Sequence, residues 1–161
     1  MKKTNRLSSL LVIFILVFQF TFTTSVMAKT TNPQDKLYQP PEQSREELYQ
    51  DIFLSMLLPY IQEEVDKYYS KYLIDTPIVA PYTVYVLSSE RLYGYRSFAF
   101  RLKLQVNSYV GPHNTVGYDY ITLTVGGMDK VKIEKFEHIK SYKLPPNYES
   151  IIKKGYTNPI P

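Results

Sequence analysis

Two histidines are the only imidazoles in the chain, and they are the residues best suited to chemistry near neutral pH. His113 lies within Gly-Pro-His-Asn at 111–114, and His138 lies 25 residues further on. An imidazole can act as a general base, a metal ligand or a hydrogen-bond anchor. Two histidines and a carboxylate such as Asp119 would form a conceivable metal set. His113 and His138 are therefore candidate catalytic residues, and with Asp119 they are candidate metal ligands.

The segment that holds His113 also has the composition of a turn. Proline at its second position and asparagine at its fourth are common in β-turns, and Gly111 permits an unusual φ. The sequence therefore favours a structural histidine in a turn over a catalytic or metal-binding one, and we expect no cofactor.

Other familiar catalytic patterns are missing from the sequence. It has no phosphate-binding glycine loop, no His-Glu-x-x-His, no Gly-x-Ser-x-Gly and no EF-hand pattern. The chain has no cysteine, which excludes a thiol nucleophile, thiolate metal ligands and disulfides. The serines lie in turn, cap or strand positions, without the strand–elbow–helix context of a hydrolase. Whether the protein is an enzyme stays uncertain, and these absences favour a non-enzymatic role.

The elements that must position the candidate residues are read from hydrophobic periodicity. From 96 to 106 apolar and polar residues alternate, with Phe98, Phe100, Leu102, Leu104 and Val106 on one side. This period of two predicts a half-buried antiparallel strand. Further strands are predicted at 81–89, 118–125 and 130–138, and Gly126-Gly127 begins the last turn.

Matching of apolar faces predicts how the last two strands pair. Ile121, Leu123 and Val125 must share the core side with Val131 and Ile133, so Leu123 must pair with one of the latter two. The predicted outer face then holds Tyr118, Tyr120, Thr122, Thr124, Lys132, Glu134, Phe136 and His138, joined from the second strand by Arg101, Lys103 and Gln105.

This register would also bring the two histidines to the same end of the hairpin. His138 is predicted to lie opposite Val116 or Tyr118, near His113. Glu137 is its sequence neighbour and points to the opposite face, so a strand cannot aim both side chains at one ion.

The predicted outer face is a candidate binding surface. Exposed aromatic side chains with polar neighbours can bind a polymer or a partner protein. The candidate binding residues are Tyr118, Tyr120, Phe136, Arg101, Lys103 and, in the turn, Asn114. An equally weighted alternative is that the C-terminal segment covers this face with Tyr142, Leu144, Tyr148 and Ile151.

A helix is predicted to precede the strands, over about 45–71. Ser44 and Glu47 have the spacing of a capping box, and Pro59 predicts a kink or two shorter helices. Its apolar stripe is Leu54, Leu57, Leu58, Ile61, Val65, Tyr68 and Tyr72. The predicted fold is α+β: an N-terminal helix kinked at Pro59 packed on a four-stranded antiparallel meander. This element order is similar to cystatin-like and NTF2-like folds.

The first 28 residues have the pattern of a secretory signal peptide. A basic start precedes the apolar run from Leu10 to Phe20, and Val26-Met27-Ala28 fits a cleavage site after Ala28. The run is shorter than the roughly 20 residues of a membrane span. We expect a secreted or extracellular protein, with membrane contact only through the signal peptide. The predicted divisions are a signal peptide at 1–28, a flexible leader at 29–43, the α+β domain at 44–142 and a C-terminal tail at 143–161.

The export signal carries most of the chain's net charge. The full sequence has 19 basic and 15 acidic residues, a formal charge of +4. Lys2, Lys3 and Arg6 would leave with the signal peptide, which leaves 16 basic residues against 15 acidic ones and a charge of +1. The mature domain therefore lacks the excess charge of a nucleic-acid-binding protein.

Three ordered segments resemble one family. The segments are ELYQDIFLSMLLPYIQEEVDKYY, the GPHN turn followed by ITLTV, and the closing FEH. They are similar to domain-of-unknown-function family 3888, small exported proteins of Gram-positive spore-forming bacteria, over roughly 46–138. That family usually has Gly-Ala-His-Asn and two prolines at the turn, whereas Pro112 and Thr115-Val116 stand here. The resemblance implies export and an α+β outline, and it implies no activity.

These observations favour an extracellular or cell-surface binding module whose partner is a cell-wall polymer or another exported protein. The alternative is a metal-dependent or hydrolytic enzyme that uses His113 and His138. A protease-inhibitor-like domain is a third hypothesis, from element order alone.

Overall fold

The structure is a computed structural model that describes residues 39–127 and 131–161. The predicted signal peptide and most of the predicted leader lie outside the described residues. Within the part of the chain that is described, no helix is long and apolar enough to cross a membrane.

Among the described residues, one α-helix, α1, spans Arg45–Tyr69. Ser44 caps it as predicted, because its hydroxyl oxygen accepts a hydrogen bond from the Glu47 N–H at 3.1 Å. The Glu47 carboxylate accepts in turn from the N–H of Gln43, at 2.5 Å. Pro59 lies inside the helix, which continues on both sides of the proline as one element. The alternative of two short helices is therefore wrong.

The buried side of α1 consists of Leu54, Leu57, Ile61, Val65 and Tyr69. The first four belong to the predicted stripe. Tyr69 does not, although it continues the four-residue step from Ile61 and Val65. It is fully buried, whereas Tyr68 and Tyr72 pack against the edge of the core.

Four strands form an antiparallel meander in the order β1-β2-β3-β4. Their bounds are Val84–Arg91 for β1, Ala99–Val110 for β2, Asn114–Gly126 for β3 and Lys132–Ser141 for β4. With α1 packed on one face, the architecture confirms the predicted α+β class. The similarity in element order to cystatin-like and NTF2-like folds stays a prediction.

The GPHN segment is the tight turn between β2 and β3. Both strands extend to it, since Val110 pairs with Asn114 and only 111–113 lie between them. His113 has a φ of +62°, in the left-handed region, and its N–H donates to the Gly111 carbonyl oxygen at 2.8 Å. The turn interpretation of this segment therefore agrees with the backbone.

Pairing between β3 and β4 confirms one part of the predicted register and corrects another. Leu123 pairs with Ile133, one of the two partners that face matching allowed. A bulge then leaves Glu134 without a partner, so Ile121 pairs with Phe136. Because a bulge adds one residue to a strand, it reverses the side on which every following residue lies.

The predicted outer-face positions of Phe136 and His138 are therefore wrong. Both lie on the core side, and His138 pairs with Asp119 rather than with Val116 or Tyr118. A second bulge at Ile139 reverses the sides again.

The C-terminal segment, predicted as a tail at 143–161, contributes to the core. Leu144 and Ile160 are buried in it, and Ile151 packs against it. The backbone of this segment bonds to the chain just after α1, where the Ile74 N–H donates to the Ile151 carbonyl oxygen at 2.8 Å. The segment thus closes the helix side of the sheet. Of the four residues predicted to cover the outer face, only Tyr142 lies there, whereas Leu144, Tyr148 and Ile151 are buried in the core or pack against it.

Close approach of α1 to β3 requires the glycine at 117. A Cβ atom there would lie 2.4 Å from the Lys140 carbonyl oxygen and 2.7 Å from the Tyr69 hydroxyl. Gly117 has no left-handed φ, so the requirement is one of space alone.

We predict that Gly117→Ala destabilises the domain by about 3 kcal/mol, because the backbone oxygen cannot move aside without breaking the β3–β4 ladder. Urea unfolding measures this change. Gly94→Ala is the matched control: its Cβ would meet open space, and its positive φ alone costs about 1 kcal/mol. Equal losses for the two variants would contradict the packing argument.

Candidate functional site

A buried carboxylate organises the polar residues of the core. Asp119 lies on the core side of β3, and its side chain is 0% exposed. A carboxylate removed from water needs hydrogen-bond partners, and Asp119 has two. Its Oδ1 lies 2.6 Å from Nδ1 of His138, and its Oδ2 accepts a hydrogen bond from the Tyr69 hydroxyl at 3.1 Å.

His138 continues the chain of hydrogen bonds towards the surface. Its Nε2 lies 2.9 Å from the hydroxyl oxygen of Ser141, and its side chain is 15% exposed. The Tyr68 ring stacks on the imidazole, with the centroids 4.8 Å apart and the planes 19° from parallel. We call Tyr69, Asp119, His138 and Ser141 the buried polar chain.

The second bulge of β4 makes this arrangement. Residues three apart in a regular strand point to opposite faces, so Ser141 would normally lie on the other side from His138. The extra residue, Ile139, restores both side chains to the core side. Ser141 then pairs with Gly117, where the absence of a side chain leaves room for the Tyr69 hydroxyl.

Burial dominates the electrostatics of the buried polar chain. It raises the pKa of Asp119, and the hydrogen bonds and charge of His138 and the hydrogen bond of Tyr69 oppose that rise only in part. Burial also raises the pKa of Tyr69 well above its ordinary value, and the nearby Asp119 adds to this effect. Tyr69 therefore remains a neutral hydrogen-bond donor at physiological pH.

A serine hydroxyl, an imidazole and a carboxylate that contact one another in this order can transfer a proton. When Asp119 accepts a hydrogen bond from Nδ1, that nitrogen carries the proton and Nε2 has a free lone pair. Nε2 can then accept the proton of the Ser141 hydroxyl, which is the role of the imidazole in serine-dependent acyl transfer.

His113 belongs to a different cluster, at the β2–β3 turn. Its ring lies 5.0 Å from that of Tyr109, and its Nδ1 lies 3.4 Å from the Tyr82 hydroxyl. Of the predicted metal set, the structure brings together only His138 and Asp119. No group of three or more His, Asp or Glu residues that could hold a metal ion occurs within 39–127 and 131–161.

The outer face of the sheet carries a cleft of about 450 Å³, which we call the outer cleft. It is lined by Gln105, Asn107, Thr115, Tyr118 and Tyr142. The Gln105 amide donates to Asn107 Oδ1 at 3.1 Å, which orients both amides. Tyr118 and Tyr120 lie side by side, with ring centroids 6.0 Å apart.

The other predicted binding residues are distributed around this cleft. Lys103 places its ammonium group 4.6 Å from the centroid of Tyr120. Arg101 is already engaged, because its guanidinium group bonds to Glu134 at 2.8 Å and to Glu90 at 3.0 Å. Asn114 begins β3 at the turn, and Phe136 packs against the core.

Sequence reasoning did not identify several residues of either site. Tyr69 could have been found by continuing the four-residue step along the helix. Ser141 gave no such signal, because only the bulge at Ile139 brings it to His138. Asn107 and Thr115 lie outside the predicted strands, and Tyr142 was assigned to a covering segment.

A family model described as "Protein of unknown function (DUF3888)" matches residues 49–140. The chain belongs to this family. The match confirms the predicted resemblance and includes β1 to β3 and both histidines, whereas the Gram-positive origin stays a prediction. No curated protein and no solved structure matches the chain.

The raised pKa of Asp119 has a consequence for stability. Its ordinary value is 3.8, and a higher value in the folded state means that the folded chain binds this proton more tightly than the unfolded chain. The resulting stabilisation is present below the ordinary pKa and is lost as the pH rises through the raised one.

We therefore predict a pH-dependent difference between the wild type and Asp119→Asn, which keeps the shape and has no titrating proton. The free energy of unfolding of the wild type, minus that of the variant, should fall as the pH rises from about 4 to neutral. Urea unfolding at a series of pH values measures it, with the exposed Asp51→Asn as the control for removal of one negative charge. A difference that grows with pH would mean that the contact with His138 outweighs burial.

Proposed function

We propose that this DUF3888 member is an exported binding module of the cell surface or the medium, and that its outer cleft binds a hydroxyl-rich cell-wall polymer. The observation that carries the proposal is the composition of the cleft: two amides, a threonine and two tyrosines that converge on one concave surface. Convergent polar side chains on a concave surface can fix the orientation of a ligand.

The side chains of the outer cleft match the chemistry of a polysaccharide. An amide both donates and accepts hydrogen bonds, as a sugar hydroxyl does, so Gln105 and Asn107 can each pair with such groups. The Tyr118 and Tyr142 rings offer flat apolar faces with a polar hydroxyl at the edge. These neutral groups support binding without any acid–base step.

The charges around the outer cleft favour a polymer with anionic substituents. The Lys140 ammonium group lies 4.8 Å from the Tyr142 centroid, and Lys103 occupies the same position over Tyr120. Neither lysine has an ion-pair partner among the described residues, whereas Arg101 and Lys135 do. These two ammonium groups, each over an aromatic ring, would steer an anionic polymer to the cleft.

We predict that polymer binding depends on the side chains of the outer cleft and not on exposed tyrosines elsewhere in the domain. Tyr118→Ala should weaken retention on isolated cell-wall polysaccharide about tenfold, which corresponds to about 1.4 kcal/mol. Gln105→Ala should have a similar effect, because the polymer would lose an oriented amide. Co-sedimentation at a series of polymer concentrations gives the dissociation constants.

Tyr95→Ala is the matched control, because Tyr95 is 94% exposed in the β1–β2 connection. Unchanged retention of both cleft variants would refute the proposal. If protease treatment of the wall material abolished retention, the ligand would be an exported protein. That result would equally refute a polymer ligand.

Export is supported by the basic start, the apolar run and the small residues at 26 and 28. We predict that the protein recovered from the medium or the cell surface begins at Lys29, as measured by N-terminal sequencing. Ala28→Arg should block cleavage, because signal peptidase needs a small residue there, whereas Met27→Gln at the intervening position should not. Recovery of an uncleaved, cell-retained chain from the wild type would contradict export.

A further inference from the structure

We propose that Ser141 is a nucleophile activated by His138, and that the domain transfers small acyl groups from carboxylic esters. This activity would be separate from polymer binding, because the buried polar chain lies on the opposite face of the sheet from the outer cleft. Residue spacing alone gives no hint of it, since the two bulges of β4 assemble the set.

The geometry meets the requirements of a serine nucleophile. The Ser141 oxygen lies 2.9 Å from Nε2 of His138, and the opposite ring nitrogen lies 2.6 Å from Asp119. Both distances are within the range for proton transfer and for orientation of the imidazole. Asp119 is itself held by the Tyr69 hydroxyl, so each member of the set is positioned by the next.

Exposure decreases along the set in the order that the chemistry needs. Ser141 is partly exposed, the side chain of His138 is 15% exposed, and the carboxylate of Asp119 is fully buried. A purely structural histidine could take any two polar partners in any order. Here the hydroxyl lies towards solvent and the carboxylate towards the core, where the low dielectric strengthens its hold on the imidazole.

The backbone on both sides of Ser141 is also fixed. Ser141 pairs with Gly117 across the ladder, and the N–H of Tyr142 donates to the Val116 carbonyl oxygen at 2.7 Å. The serine is therefore held on a strand and not on a mobile loop, which keeps the attacking oxygen in register with Nε2.

The proposed reaction is ester hydrolysis in two steps. The Ser141 oxygen attacks the ester carbonyl carbon, its proton passes to Nε2, and a bond from Oγ to the acyl carbon forms. The bond from that carbon to the alcohol oxygen breaks, and His138 returns the proton to the departing alcohol. Water then attacks the acyl-serine with His138 as base, which releases the carboxylic acid and restores the hydroxyl.

The surroundings of the imidazole limit the substrate to a small acyl group. The Tyr68 ring covers one face of His138, and the Tyr69 ring lies nearly perpendicular to the imidazole at a centroid distance of 6.0 Å. Tyr68 is held in place, because its hydroxyl donates to the backbone oxygen of Pro161 at 2.9 Å. Because two aromatic rings pack against the imidazole, we expect acetyl esters to be better substrates than long-chain ones.

Covalent labelling of the intact chain with diisopropyl fluorophosphate tests the nucleophile directly. A bond forms from Oγ to phosphorus, the phosphorus–fluorine bond breaks, fluoride leaves and the proton passes to His138. Mass spectrometry of peptides should locate the adduct at Ser141. The labelling rate should fall at least about a hundredfold in His138→Gln, which is the usual effect of removing a positioned base.

Ser150→Ala is the matched control, because Ser150 is exposed and has no imidazole contact, and it should label as the wild type does. Hydrolysis of p-nitrophenyl acetate should disappear in Ser141→Ala and persist in Ser150→Ala. The proposal is overturned if the wild type carries no adduct at Ser141, a result that does not depend on the folding of any variant. It is also overturned if a folded His138→Gln labels at the wild-type rate.

Discussion

A single carboxylate buried in an apolar core constrains this domain more than any other group. Asp119 lies on the same side of β3 as Ile121 and Leu123, and burial of its charge without partners would cost several kcal/mol. Tyr69 and His138 must both reach it, and they come from the end of α1 and from β4. The compensation of one charge therefore fixes the end of the helix against the last hairpin.

The two bulges of β4 allow this compensation. The bulge at Glu134 turns Phe136 and His138 to the core, and the bulge at Ile139 turns Lys140 outwards while Ser141 faces inwards. In a regular strand that kept the Leu123–Ile133 pair, the residue opposite Asp119 would still point to the core. His138, however, would lie on the outer face of the sheet. The two bulges thus bring His138 to Asp119, while Lys140 and Ser141 keep the sides that they would have in a regular strand.

The hydrophobic periodicity of the sequence predicted those features of the fold that depend on regular helices and strands. The α+β class and four of the five buried helix positions follow from steps of two, three or four residues, and the cap at Ser44 follows from its three-residue spacing to Glu47. The same face matching limited the partner of Leu123 to Val131 or Ile133, and the structure has Ile133. The sides of Phe136 and His138 did not follow, because an alternating pattern contains no sign of an inserted residue. His138 and Asp119 were predicted to act together because of their residue types. Their contact depends on the strand register, which the sequence pattern does not predict.

The two proposed sites adjoin each other at the end of β4, which is an edge strand of the sheet. Ser141 and Tyr142 are neighbours in the chain and point to opposite faces, so the nucleophile and one wall of the outer cleft share a single stretch of backbone. A polymer held across Tyr118 and Tyr142 would extend towards this edge. An ester substituent on such a polymer could then reach Ser141 around the edge, whereas a free ester would need no contact with the cleft. Cleft variants that slow hydrolysis of a polymer-linked ester while sparing a free one would join the two sites into one function.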